Sequence, residues 1–348
     1  MHEPGESLTA THAFETALKA LSRRDLDEAL ALLQRAELLG HDADECAAGR
    51  WECFMLAGQF ERAWSESDHI AGRGKPDPHR LWDGLPFTGK RVLIRCLHGL
   101  GDAIQFARYA KLVRREASHV IVQTHPELVP LMQHADGVDE AVTWPDSPSL
   151  QWDQQIEVME LPRAFRTTLA TVPHEVPYIR LPQSVQERAL PEALQTGAPR
   201  IALQWGSGWW NEARSLALAE LAPLLECTGF DYFTLQMGEA RRQLESLPGG
   251  YRIHDIATPD VLEAAARLMK IDLLITVDTM MAHLGGALGR PVWLLLPYEA
   301  DWRWMVDRDD SPWYPTMTLF RQSAPGDWGT VVQAVCAELP ALRESNAA

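Results

Sequence analysis

The sequence predicts an α/β protein of two parallel-sheet halves facing a cleft, preceded by a small all-helical segment. Three observations carry this. From Arg91 onward, short apolar runs alternate with amphipathic stretches, the pattern of strands joined by helical crossovers. The stretch Pro182–Pro199, rich in Pro, Gln and Ala, divides that series in two. Upstream, Thr11–Ile70 has helical spacing throughout, and it repeats itself.

The repeat is visible in RDLDEALALLQRA (Arg24–Ala36) and GQFERAWSESDHI (Gly58–Ile70), where Leu26 aligns with Phe60, 34 residues on, and Ala29 with Ala63. That period and the helix–turn–helix layout are those of tetratricopeptide repeats. Phe14, Leu18 and Leu21, then Leu26, Ala29, Leu30 and Leu33, have the spacing of inward stripes. Two repeats are marginal alone, so they are expected to pack on a neighbour. They serve either as a protein-docking surface or as a structural appendage. The chain is read as helical repeats over 1–72, a connector over 73–90, an N-terminal Rossmann-like half over 91–182 and a linker over 183–199. A C-terminal Rossmann-like half follows over 200–325, then a final helix and tail over 326–348.

In the first half the expected strands are Arg91–Leu97, Val120–Thr124 and Ala141–Trp144, with helices over Ala103–Glu116 and Glu127–Ala135. Asp153–Glu160 then leads into LPRAFRTTL. In the second half strands are expected at Arg200–Trp205, Tyr232–Met237, Arg252–Ile256, Leu273–Val277 and Val292–Leu296. The intervening helices are placed near Leu216–Cys227, Gly238–Leu244, Pro259–Met269 and Met280–Leu288, and Asp327–Leu339 closes the chain.

Length and charge exclude some classes. A chain of 348 residues has room for two or three domains. A net charge of −16 argues against a general nucleic-acid binder, which needs a basic footprint. Lys is scarce beside Arg, so the positive charge is of the forked kind that grips phosphate. No apolar run approaches a membrane span, and Met1–Glu15 lacks the basic start and apolar core of a signal peptide. Five scattered cysteines without CxxC spacing fit reduced cytosolic thiols.

The chemistry is expected at the carboxyl ends of the strands, where open α/β sheets bind ligands. Ile271–Pro297 reads as strand, turn, helix and strand, with Asp278 and Thr279 at the turn and His283 in the helix that follows. A helix start there attracts phosphate, although Asp278 and Thr279 also make ordinary caps and His283 an ordinary packed side chain. The Gly206–Ser215 turn offers the backbone N–H groups of Ser207 and Gly208, with Arg214 as a forked cation; its other reading is a surface loop. Asp102, behind Gly99 and Gly101 in HGLGDAIQFARY, is either a carboxylate facing the cleft or, with Gln105, close to a capping box. His98, Gly99, Gly101 and Gln105, with Trp302 of the late aromatic loop Pro297–Pro315, are the candidates for the acceptor side. Asp307-Arg308-Asp309 fits a loose DxD metal pattern but is read as a chance triplet in a charged loop, and no metal site is assigned.

On GLGDAIQFARY, MELPRAFRTTL, and ITVDTMMAHLGGALGRPVWLLLPYEADWRW with the following DSPWYP, the chain resembles glycosyltransferase family 9 over about Arg80 to Leu339. It is similar, more closely, to bacterial heptosyltransferase-like members that carry N-terminal tetratricopeptide repeats. The resemblance implies a GT-B fold, donor nucleotide on the C-terminal half, acceptor on the N-terminal half and a final helix crossing back between them. It implies that Asp102 matches the catalytic base, and that Asp278, Thr279 and His283 match the motif lining the donor diphosphate. The implied reaction is inverting and metal-independent. It needs no cofactor beyond the donor substrate, by default an ADP-heptose-type nucleotide sugar. One departure is plain: the family usually places a Lys in the loop before the donor-domain helix, and Gly206–Ser215 has only Arg214.

The expected partners are a nucleotide sugar, a glycan, lipid-linked glycan or protein acceptor, and a protein bound by the helical repeats, with no nucleic acid. The expected location is cytoplasmic, with transient contact at the inner membrane face. The other class of function is a non-catalytic adaptor or sugar-nucleotide sensor on a relic transferase fold. A sugar-nucleotide epimerase would need a second acid/base pair, which the sequence does not place.

Overall fold

The computed structural model describes residues 9–75, 77–145, 149–188, 197–208 and 212–347. Residues 1–8, the middle of the linker at 189–196 and Trp209–Asn211 of the Gly/Ser turn lie outside the described residues. The chain forms two compact units: Met1–Pro78 with Arg163–Val172 and Glu299–Arg308, and His79–Pro162 with Pro173–Tyr298 and Asp309–Ala348.

The helical unit holds α1 (Ala10–Ser22), α2 (Leu26–Leu38), α3 (Ala43–Leu56) and α4 (Phe60–Gly72). Side-chain oxygens of Thr9, Asp25 and Asp42 accept backbone N–H groups at the starts of the first three, so three of the four helices begin on a side-chain cap. Alanines keep the helices close: Ala17, Ala20 and Ala29 form one cluster with Leu33 and Cys53, and Ala13 and Ala36 another with Cys46. Arg50 is clamped between Glu37, at 2.6 Å, and Glu66, at 3.0 and 2.9 Å. Two distant stretches complete the unit. The buried Trp64 indole donates to the Thr167 carbonyl at 2.7 Å, while Arg163 and Arg166 both hold Asp68. The 3₁₀ turn Trp302–Trp304 sets Trp302 edge-on to Trp51, with ring centroids 5.4 Å apart.

The α/β unit has two sheets, parallel throughout. The first is ordered β3-β2-β1-β4, from β1 (Arg91–Arg95), β2 (His119–Thr124), β3 (Glu140–Thr143) and β4 (Gln154–Glu157). Its helices are α5 (Leu100–Phe106), α6 (Ala110–Glu116), α7 (Val129–Met132) and the turn α8 (Leu161–Ala164). The one expected helix over Ala103–Glu116 starts earlier, at Leu100, and is broken by a 3₁₀ turn at Ala107–Tyr109.

The second sheet follows the single helical turn α9 (Gln183–Gln186) of the expected linker and is ordered β10-β9-β8-β5-β6-β7. Its strands are β5 (Arg200–Gln204), β6 (Asp231–Thr234), β7 (Ile253–Asp255), β8 (Leu273–Val277), β9 (Val292–Leu296) and β10 (Met317–Arg321). β8 is buried along its whole length between β5 and β9, as its unbroken apolar run requires. Its helices are α10 (Ala222–Leu225), α11 (Val261–Leu268), α12 (Met280–Ala287) and α13 (Trp328–Ala347). The expected helix at Gly238–Leu244 is a 3₁₀ run, Glu239–Ser246, and it buries none of its residues. From α13, Trp328, Val331, Val332, Val335 and Leu339 join the core that covers β5 and β8 of the six-stranded sheet. Between the sheets, Tyr178 donates its backbone N–H to Ala287 of α12, and its carbonyl accepts from Asp136 beyond α7.

Candidate functional site

β1 delivers the turn His98–Asp102 to the carboxyl edge of its sheet. Gly99 is the N-cap of α5, and its N–H donates to Asp102 Oδ2 at 3.0 Å. Asp102 is therefore the third residue of the helix, reaching back to the cap, and not the cap that its pairing with Gln105 suggests. Gln105 is fully buried, and neither amide atom has a hydrogen-bond partner among the described residues. A Cβ on Gly101 would lie 2.8 Å from His283 Cδ2, so only glycine lets the Asp102 turn approach that ring so closely. This contact joins the two candidate regions: helices α5 and α12 pack directly on each other.

The residue that sequence reasoning missed is Glu157. It ends β4, stands in register with Arg95 of β1, and is 1 % exposed. Its carboxylate accepts from the Met159 N–H at 2.7 Å and lies 3.9 Å from His98 Nε2. Burial pushes its pKa up to about 7, against backbone N–H groups of Met159 and Leu97 that pull it down. Little in the sequence signals it: Gln154 and Gln155 precede Ile156, so the stretch does not read as an apolar strand, and only the pairing of β4 with β1 brings Glu157 to the same sheet edge as HGLGD. His98 is anchored from behind, its carbonyl oxygen 2.8 Å from His125 Nε2.

On the second sheet the chain leaves β5 through Trp205 and Gly206. Gln236 holds that turn, its Oε1 accepting the N–H groups of Trp205 and Gly206 at 3.1 and 2.8 Å. Ser207 is held by Ser215, whose hydroxyl accepts its N–H at 2.9 Å, and Gly208 is exposed. Thr279 caps α12 by accepting the Met281 N–H at 3.3 Å and donates its own proton to Gln204 Oε1 at 3.2 Å. Asp278 and His283 are buried. Arg214 lies 3.3 Å from Asp278 Oδ2, and His283 Nε2 lies 3.8 Å from Asp278 Oδ1. The structure thus gathers Gly101, Asp278, Thr279, His283 and Arg214 around the start of α12, with Asp102 one residue beyond the Gly101 contact. Trp302 belongs instead to the helical unit.

Two parallel sheets in the orders above, each carrying its candidate residues at the carboxyl edge, also describe solved glycosyltransferases. The E. coli ADP-heptose lps heptosyltransferase II matches with a TM-score of 0.54 and 16% identity, over 74% of this chain and 100% of that one. A glycosyl transferase family 9 protein from Veillonella parvula matches with a TM-score of 0.55 and 13% identity, over 75% of this chain and 99% of that one.

The fold is GT-B.

At such identities the likeness to these GT-B proteins concerns architecture and not activity. No family model matches the chain. Protein FlbA of Caulobacter vibrioides is 23% identical over 378 residues, covering 96% of this chain. The chain spans 63% of the length of that relative. Among the described residues no helix is long and apolar enough to cross a membrane, and no group of three or more His, Cys, Asp and Glu is placed to hold a metal ion.

Proposed function

We propose that the protein is an inverting, metal-independent glycosyltransferase moving a sugar from a nucleotide-diphosphate donor to a hydroxyl of a glycan, lipid-linked glycan or protein. The observation that carries this reading is the direct packing of the Asp102 turn on the α12 start, through Gly101 and His283. A carboxylate and a capped helix start on adjacent elements are what this reaction needs. Asp102 takes the proton of the acceptor hydroxyl, whose oxygen forms the bond to the anomeric carbon. The bond from that carbon to the phosphate oxygen breaks on the opposite face, and the nucleoside diphosphate leaves with the electron pair. The N-terminal end of α12, with Arg214 and the Ser207 hydroxyl of the turn after β5, stabilises the charge that develops there. The E. coli structural neighbour is named for ADP-heptose, which makes an ADP-activated heptose the first donor to try. The helical unit, with its two helix–turn–helix pairs of tetratricopeptide type, is assigned to a protein partner, and the enzyme to the cytoplasm.

The test is release of nucleoside diphosphate from donor sugars in the presence of acceptor. Asp102→Ala is expected to lower the rate by about 10²- to 10⁴-fold while leaving donor affinity intact. Full transfer by that variant overturns the base assignment. A second reading, a sugar-nucleotide sensor or adaptor without catalysis, is favoured by two observations: Asp102 already accepts from Gly99, and Arg214 is already paired with Asp278. Donor binding without transfer to any acceptor distinguishes it.

A further inference from the structure

Two conspicuous stretches of the sequence have no part in the transfer chemistry: the Arg of GLGDAIQFARY and the aromatic pair of DSPWYP. The structure brings them together behind His283. Arg108 is buried, and its Nε donates to the Gln105 carbonyl at 2.7 Å. Its other nitrogens donate to the carbonyls of Pro173 and Trp313 and, at 3.2 Å, to the Tyr178 hydroxyl. The guanidinium also lies over the rings of Tyr314, at 4.3 Å, and Tyr178, at 4.7 Å. Carbonyls and phenols, and among the described residues no carboxylate, surround this charge.

The direction of each hydrogen bond follows from chemistry. A guanidinium only donates. Arg108 donates in this way to the Tyr178 hydroxyl and lies over the Tyr314 ring, and the Tyr314 hydroxyl has its own proton to give. His283 Nδ1 is an acceptor for that proton at 3.0 Å, nearer than the Tyr178 oxygen at 3.5 Å. The proton of Tyr178 goes to the Ile104 carbonyl at 3.0 Å and does not compete. Burial holds the Tyr314 phenol well above its ordinary range, with Tyr178 adding to this and Arg108 opposing it, so the donor persists at any working pH. Packing fixes the ring as well: Gly286 of α12 has no Cβ, and one there would lie 2.3 Å from Tyr314 Cδ1.

We propose that Tyr314 is a positioning residue that sets the proton of His283: Tyr314 donates to Nδ1, and the neutral imidazole carries its hydrogen on Nε2. That nitrogen is on the edge beside Gly101 and faces Asp278, 3.8 Å away, with Arg214 on the other oxygen of the carboxylate. Asp278 is then held between a cation and a neutral donor. Among the charged groups, Asp278 faces the ring directly and Arg214 faces it through Asp278. The placement of the proton rests on these contacts; its service to donor binding rests on the transferase reading above.

The test is a long-range ¹H–¹⁵N correlation spectrum of the whole protein labelled at histidine, with the His283 signals assigned from their loss in His283→Gln. The expected result is a single Nε2–H tautomer in the wild type, and a tautomer mixture in Tyr314→Phe. Tyr178→Phe, which removes a hydroxyl from the same buried cluster but not from His283, is expected to leave the tautomer unchanged. Affinity for the nucleoside diphosphate that the wild type binds is expected to fall about three- to tenfold in Tyr314→Phe and to stay unchanged in Tyr178→Phe. A wild-type His283 that is an imidazolium or an Nδ1–H tautomer overturns the proposal. So does a Tyr314→Phe spectrum that matches the wild type, or a Tyr178→Phe spectrum with the same change. Failure of the donor-site reading is seen separately, as a wild type that shows the expected tautomer and binds no nucleotide.

Discussion

Glu157 is a carboxylic acid whose folded-state pKa of about 7 stands above its ordinary 4.5 because it is buried at the end of β4. The folded chain therefore holds this proton more tightly than the unfolded chain. Between those two values the unfolded state binds fewer protons, so the contribution is fully present below 4.5 and is lost as pH rises toward 7. The loss amounts to about 3 kcal/mol by pH 8. Glu157→Gln keeps an oxygen for the Met159 N–H and has no charge to bury. Urea unfolding of the two proteins is expected to show the variant gaining on the wild type by about that amount from pH 5 to pH 8. An unchanged difference between those pH values contradicts it. This residue marks where the sequence stops being informative. The turn residues Gly99, Gly101, Asp278 and Thr279 are legible because turns and caps demand particular residue types. The titration of Glu157 is set by burial at the junction of β1 and β4, which only the three-dimensional packing creates.

At the scale of elements, the strands buried on both sides were the readable ones. β8 and β9 are continuous apolar runs and fall where the sequence predicts them. β10 was missed: it lies at the sheet edge, alternates only partly in burial, and follows a proline-containing aromatic stretch that reads as loop. The helix starts are harder, since Gly99 caps α5 with no side chain and Asp102, which with Gln105 resembles a capping box, stands at the third helical position. The close packing of α5 on α12 is the element-level feature with most consequence. Gly101→Ala puts a methyl 2.8 Å from a buried ring atom of His283, so one helix must move. A loss of about 1–3 kcal/mol in unfolding free energy is expected, with weaker nucleotide binding. Wild-type stability in that variant would show that the approach is not tight. In the helical unit, α4 is tied to the Arg163–Val172 stretch by the Trp64 indole. Trp64→Phe leaves the Thr167 carbonyl buried without that donor, and chemical unfolding is expected to register a loss of about 1–3 kcal/mol.

For the whole molecule, the alternation of strands and helices was enough to give the α/β class and the two parallel sheets, because each parallel connection needs a crossover. The grouping of the chain was not legible. Arg163–Val172 and Glu299–Arg308 leave the α/β series to complete the helical unit, through Arg163, Arg166 and the Trp302–Trp304 turn. Contacts between residues about a hundred positions apart, such as Asp68 with Arg166, have no local signature in the sequence. The donor site is where fold and residues meet, and it is open to direct measurement. The melting temperature of the whole chain is to be followed against ADP, UDP and GDP and their common sugar conjugates, since a ligand of the folded state raises it by mass action. A clear rise with one nucleotide family, carried by both the diphosphate and its sugar conjugate, is the expected result. No rise with any of them at millimolar concentration would contradict a nucleotide-sugar site at the start of α12.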